Sequence, residues 1–164
     1  MTMFIRGACV LGMVALVPLA GCSKPGDAGK PSGPSSARQA DGHPDKGPHG
    51  GALAEWGEKE EYHAEFTVDH KEQKATVYIL DGSAKKAKPI EAKTITLTIT
   101  NVKPTLTLTL EADPQKDDPE GMSSRFSNKE KSEKLGVEMD FKGNISWPEK
   151  MFSGEFDEKK VGHH

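Results

Sequence analysis

The stretch Thr94-Ile95-Thr96-Leu97-Thr98-Ile99-Thr100 is followed, across Asn101-Val102-Lys103-Pro104, by Thr105-Leu106-Thr107-Leu108-Thr109-Leu110. Aliphatic and threonine side chains alternate on both sides of the turn. Successive side chains of an extended strand point to opposite faces, so a period of two gives each strand one apolar face for a core and one hydroxyl-bearing face for water. An amphipathic helix would repeat at 3.6 instead. The threonines have two readings: β-branched residues simply suit a solvated strand face, or they form a flat binding or ice-like surface. The first is the plainer and is preferred.

The same period extends outward from this pair. Tyr62, Ala64, Phe66 and Val68 alternate with Glu61, His63, Glu65, Thr67 and Asp69; after the polar Asp69-His70-Lys71-Glu72-Gln73, the residues Ala75, Val77 and Ile79 resume the pattern. These segments predict a hairpin that closes before Asp81-Gly82. Ala52 to Trp56 reads as a short first strand, turning at Gly57-Glu58-Lys59. Toward the C-terminus, Asn128 to Leu135 predicts a short helix stopped by Gly136, and Val137, Met139 and Phe141 predict another strand. Ile145 and Trp147 continue an apolar face, Pro148-Glu149-Lys150 turns the chain, and Phe152 and Phe156 flank Gly154 in a last strand. About seven strands with turn signals between them predict an all-β fold, an antiparallel β-sandwich of two sheets with immunoglobulin-like topology, lacking the inter-sheet disulfide. Between them Glu111 to Ser124 is a long acidic loop. It lacks the D-x-[DN]-x-[DN]-G order of a calcium loop and reads as solvated.

Composition narrows the function. The 164 residues carry 22 basic and 25 acidic side chains, a net charge of -3, and they are interspersed, so no basic stripe is offered to phosphates and nucleic-acid binding is not expected. Mean hydropathy is -0.63, with the polarity concentrated in particular stretches. The two cysteines, Cys9 and Cys22, lie at the extreme N-terminus, where they cannot staple a fold.

That N-terminus has its own logic. Arg6 precedes the apolar run Ala8 to Val17, which is shorter than the ~20 residues a transmembrane helix needs and is interrupted by Pro18. Leu19-Ala20-Gly21-Cys22 then resembles the lipobox of bacterial lipoproteins. The resemblance implies cleavage between Gly21 and Cys22 and lipidation of the Cys22 thiol, whose nucleophilicity suits it to take up a diacylglyceryl group. Residues 1-21 are thus expected to be a lipoprotein signal peptide and residues 22-48 a Pro/Gly/Ser-rich linker with no large apolar side chain. The β-sandwich domain follows at 49-160, with a tail at 161-164. The mature protein is expected to be anchored by Cys22 lipid to an envelope membrane, its domain extracytoplasmic. Ser23 after the cysteine favours the outer membrane. No free thiol would remain for catalysis or metal binding.

Histidine is the residue type whose placement stands out: His43, His49, His63, His70, His163 and His164. Pro48-His49-Gly50-Gly51 opens the domain, and Glu61-Tyr62-His63-Ala64-Glu65 sets His63 between two carboxylates on the outward face of its strand. Neutral imidazole and carboxylate oxygen are ligands suited to zinc, copper or nickel. Pairing of the first two strands would bring His49 within reach of His63 or Glu65, so His49, His63 and Glu65 are the candidate metal set. The plainer reading makes His63 an exposed strand residue paired with Glu61 or Glu65, and His49 a loop residue that helps the turn. Pro48-His49-Gly50-Gly51, Tyr62-His63-Ala64-Glu65 and Ala75-Thr76-Val77-Tyr78-Ile79-Leu80-Asp81 resemble a module of bacterial envelope lipoproteins. A similar stretch stands near the start of some periplasmic adaptor subunits of heavy-metal efflux systems. The resemblance implies extracytoplasmic metal handling with His49 and His63 as matching positions, although the long coiled-coil hairpin of an efflux adaptor is missing.

No G-x-S-x-G, H-E-x-x-H, P-loop or dinucleotide fingerprint is present, so an enzyme is not expected. The expected function is a tethered, non-catalytic binding module with a transition-metal ion as its sharpest ligand. The competing reading is a structural or interaction lipoprotein that docks an envelope protein partner by strand edges or the acidic loop and has no metal site.

Overall fold

The structure, a computed structural model, describes Pro44 and residues 46–161. Gly21, Cys22, His43, His163 and His164, and with them the signal and most of the linker, lie outside the described residues. The described residues all belong to one compact unit, Gln39–His164.

Eight antiparallel strands form this unit: β1 (Ala52–Trp56), β2 (Tyr62–Asp69), β3 (Lys74–Asp81), β4 (Thr94–Ile99), β5 (Leu106–Ala112), β6 (Arg125–Ser127), β7 (Lys142–Trp147) and β8 (Phe152–Asp157). The predicted hairpins form in the expected order. β1 pairs with β2 from Ala52↔Phe66 to Trp56↔Tyr62, β2 with β3 from Tyr62↔Asp81 to Asp69↔Lys74, and β4 with β5 from Thr94↔Glu111 to Ile99↔Leu106. In each, the apolar members of the alternation are those that turn inward, and Ala54, Ala64, Phe66, Val77, Ile79, Leu97 and Ile99 are wholly buried.

The all-β antiparallel character is as the alternation predicts, but the strands lie in a single sheet, ordered β1-β2-β3-β6-β5-β4-β7-β8, instead of two sheets with immunoglobulin-like topology. The difference turns on β6. This three-residue strand pairs with β3 at Thr76↔Ser127, Val77↔Phe126 and Tyr78↔Arg125, and with β5 at Glu111↔Ser127 and Ala112↔Phe126. Without it, β1-β2-β3 and β5-β4-β7-β8 would be the two separate sheets of a sandwich; with it they become one wall. The wall curls until β8 lies against β1. At Gly154 the approach is so close that a Cβ would fall inside the Glu55 carbonyl oxygen. The result is barrel-like, and curling removes most of the exposed sheet edge that an open eight-stranded sheet would present.

Aromatic rings fill the interior. Phe66 stacks on Phe156 with ring centroids 4.4 Å apart, and Phe141 meets Phe66 edge-on at 6.4 Å. Trp56 spans to the far side of the seam, its Nε1 donating to the Ile145 carbonyl at 3.0 Å. Ile145 is the register partner of Gly154.

Two further expectations are corrected. The segment from Asn128 to Leu135 is not a helix beyond a single 3-10 turn at Glu133–Gly136. Asn128 holds the chain to β3 instead, its Oδ1 accepting from Ala75 N at 2.7 Å. Val137 to Phe141 is not a strand: β7 begins at Lys142, and the Phe141 N–H donates to the Glu158 side chain at 2.7 Å in place of a ladder partner.

Gly154→Val should force β1 and β8 apart and cost roughly 1–3 kcal/mol, the usual penalty of overpacking. Met151→Ser, at a side chain 90% exposed, should change stability by less than about 0.5 kcal/mol. Chemical denaturation of both variants checks the contrast.

Candidate functional site

Lys46 forms an antiparallel bridge with Ala52, so the chain enters the barrel through a small hairpin whose tip is Gly47-Pro48-His49-Gly50-Gly51. Gly47 N donates to Gly51 O and Gly50 N to Gly47 O, each at 3.0 Å, closing the loop on itself. Gly50 has φ +83°, the left-handed region in which a Cβ is penalised. Gly47 and Gly51 are needed for a different reason. A Cβ on Gly47 would collide with the Glu65 carboxyl group, and one on Gly51 with the Phe66 carbonyl oxygen. The loop therefore lies flat on β2 because those positions have no side chain.

What it lies on is Glu65. This residue is on the face of β2 opposite to Ala64 and Phe66, yet it is 0% exposed. Its Oε1 accepts from the backbone N–H of His49 at 2.8 Å and of Gly51 at 2.9 Å, and its Oε2 lies 2.7 Å from His49 Nδ1. Since a carboxylate only accepts, Nδ1 carries the hydrogen and Nε2 is left on the ring edge away from Glu65. The imidazole also stacks on Tyr78, the cross-strand neighbour of Glu65, at 3.6 Å between centroids and 9° between planes. Burying a carboxyl group is costly unless its oxygens are fully hydrogen-bonded, and here three donors meet that requirement. The His49 side chain remains 40% exposed.

The structure thus joins His49 to Glu65 as expected, with the carboxylate orienting the imidazole from beneath. His63 is placed otherwise. It shares the outward face of β2 but is 1% exposed, and its Nδ1 lies 3.1 Å from the Asp81 carbonyl oxygen. It is therefore not the exposed strand residue of the plainer sequence reading. Among the described residues no three His, Cys, Asp or Glu side chains are grouped so as to hold a metal ion. Tyr78 and Gly47 complete the site, and the sequence reading assigns neither a role; the signals for Tyr78 were its place in the stretch Ala75 to Asp81 that carries the resemblance and its position on the outward face of the strand paired with β2.

His70 and the acidic loop also have local roles. His70 Nδ1 donates to the Leu135 carbonyl at 2.8 Å, tying the 3-10 turn to the β2–β3 hairpin. In the acidic loop, Asp118 accepts from Gln115 N, Ser124 N and the Ser124 hydroxyl at 2.7 to 2.8 Å. Burial raises the Asp118 pKa, but these hydrogen bonds and the charge of Arg125 outweigh it and leave it below the ordinary carboxylate value. The loop is folded by its own carboxylate.

Comparison with protein-family models, with curated proteins and with solved structures finds no match to this chain.

Glu65→Ala should cost roughly 3 kcal/mol, because it strands buried N–H groups, and Glu65→Gln should cost less because one acceptor oxygen survives. A double-mutant cycle with His49→Ala, followed by denaturant unfolding, should return a coupling of about 1–2 kcal/mol. For Asp118, a folded pKa below the unfolded one means stabilisation that is present above the ordinary carboxylate pKa and lost as pH falls through the folded value. Asp118→Asn should therefore lower stability at neutral pH, and the gap from wild type should close on acidification in unfolding curves recorded across pH.

Proposed function

We propose that this chain is a lipid-anchored lipoprotein of the cell envelope, cleaved between Gly21 and Cys22 and tethered through lipid on Cys22, with the barrel acting outside the cytoplasm as a non-catalytic binding module. The anchoring half of this reading is supported by the joint presence of Arg6, the apolar run Ala8 to Val17, and Leu19-Ala20-Gly21-Cys22. Among the described residues no helix is long and apolar enough to cross a membrane.

The binding half rests on one observation, the fixed imidazole of His49. Its Nδ1 is held by Glu65 and its ring is stacked on Tyr78, so the orientation of Nε2 is set before any ligand arrives. Ligating histidines in metal proteins are commonly held in this way by a carboxylate on the other ring nitrogen. The transition-metal reading, for zinc, copper or nickel, then assigns His49 Nε2 as the ligand and Glu65 as its orienting partner; His63, 1% exposed with its Nδ1 3.1 Å from the Asp81 carbonyl oxygen, is left out of this ligand set. One imidazole supplies only part of a coordination sphere, so water or a second molecule completes it.

The competing reading, a structural or protein-interaction lipoprotein without a metal site, is favoured by a different observation. Both oxygens of Glu65 are already engaged by the loop, and the arrangement serves as a fastening of the domain entrance.

Two experiments test these halves separately. In a bacterial host fed radiolabelled palmitate, the wild-type chain should be labelled and sediment with membranes, and Cys22→Ser should lose both properties; an unlabelled wild type refutes the anchor. Calorimetric titration of the chain ending at Val161, so that His163 and His164 are absent, addresses the metal. Binding should weaken about tenfold or more, ~1.4 kcal/mol, in His49→Ala and be unchanged in His63→Ala. No heat, or binding indifferent to His49, moves the function to the interaction reading.

A further inference from the structure

β5 has one edge that the barrel does not use. On one side Leu106 to Ile99, through to Glu111 with Thr94, pair with β4; on the other only Glu111 and Ala112 pair with β6. Among the described residues, the backbone of Leu106 to Leu110 makes no hydrogen bond on that second side. The cause is the shortness of β6. Past Ser127 the chain stays with β3, where Asn128 N donates to Ala75 O at 3.4 Å and Ser132 N to Gln73 O at 3.5 Å. Among the described residues no main-chain pairing joins Leu106 to Leu110 with the segment 128–132, although Lys129 reaches across to the Glu111 side chain; the cleft lined by Lys74, Glu111, Ser127, Asn128 and Lys131 lies at the β6 end of β5, past Leu110.

An unpaired edge is a template for another strand. Edges that must stay single carry a charge, a proline or a bulge, and Leu106-Thr107-Leu108-Thr109-Leu110 has neither a charge nor a proline. Thr107 and Thr109 are exposed, Leu106 and Leu108 half-buried and Leu110 buried, so the edge is reached from the solvent face through its threonines. The segment also reads the same in both directions. A two-fold axis through Leu108 sets Leu106 opposite Leu110 and Thr107 opposite Thr109 of a second copy, with every leucine on the inward face and every threonine on the solvent face. Such isologous pairing requires self-complementarity, which this sequence has.

We propose that two copies of this chain associate through antiparallel pairing of their β5 edges over Leu106 to Leu110. The window ends where β6 takes over the edge at Glu111. A strand pair this short buries less than the roughly 1,000 Å² of a stable interface, so the association is weak in solution and is strengthened when copies share a membrane surface. The pairing itself rests on the fold and does not require that Cys22 be lipidated.

The test is the molar mass of the mature chain in detergent, by light scattering over a concentration series. Wild type should pass from monomer to dimer as concentration rises. Thr107→Lys with Thr109→Lys places lysine opposite lysine across the axis and should remain monomeric, as should Thr107→Glu with Thr109→Glu, while an equal mixture of the two should recover the dimer. Circular dichroism of each variant checks that the barrel persists. As a second measurement, Leu108→Cys should give a covalent dimer on oxidation, since directly opposed residues of an antiparallel pair lie about 4.5–5.5 Å apart at Cα, within reach of a disulfide. Thr98→Cys, on β4 between two partner strands, should not. A wild type that is monomeric at every concentration, a lysine variant that dimerises like wild type, or a mixture that stays monomeric would overturn the proposal, and an extended peptide from another protein would then be the occupant to seek.

Discussion

The carboxyl group of Glu65 is wholly buried on the outer side of β2, and it can be there only because three N–H groups of one loop converge on it. Much else follows from that requirement. The donors come from His49 and Gly51, so the loop must lie flat, which explains the glycines at 47 and 51; its reversal explains the positive φ at Gly50. The His49 ring is then pressed onto Tyr78, and the bridge from Lys46 to Ala52 starts the barrel at a defined point. A hydrogen-bonded buried carboxylate thus fixes both where the domain begins and the direction in which the His49 imidazole points.

The histidine-glycine motif can accordingly be understood in two layers. Its glycines and backbone N–H groups serve the fold, by seating the loop on a charge that water cannot reach. Its imidazole retains an edge directed away from that charge. Any ligand chemistry at this site therefore depends on Glu65 without contacting it, and a substitution there would disturb binding through the position of His49.

The longer strands were legible in the sequence because each has enough alternating residues to show a period: Tyr62 to Val68, Ala75 to Ile79, Ile95 to Ile99 and Leu106 to Leu110. Arg125-Phe126-Ser127 is too short to show one, yet these residues decide whether the strands make one sheet or two. Val137, Met139 and Phe141 do alternate, but Val137 is exposed and only Met139 and Phe141 reach the core, while side chains take the backbone N–H groups at the end of the run, Glu158 that of Phe141 and Asn101 that of Lys142, so the pattern does not mark a strand. For the site, the residue types and the nearness of His49 to Glu65 were readable from the pairing of β1 with β2. The burial of Glu65 was not, because a strand's outward face is solvated unless a remote segment folds back over it. Here that segment is the loop preceding β1.

The most direct measurement of this account is amide hydrogen exchange, by NMR, at His49 and Gly51. If the Glu65 carboxylate holds the loop, both amides should be protected nearly as well as those of β2, although they belong to a surface turn, and both should lose that protection together in Glu65→Ala. Exchange of either amide in the wild-type chain as fast as those of the exposed Glu58 and Lys59 turn would contradict it.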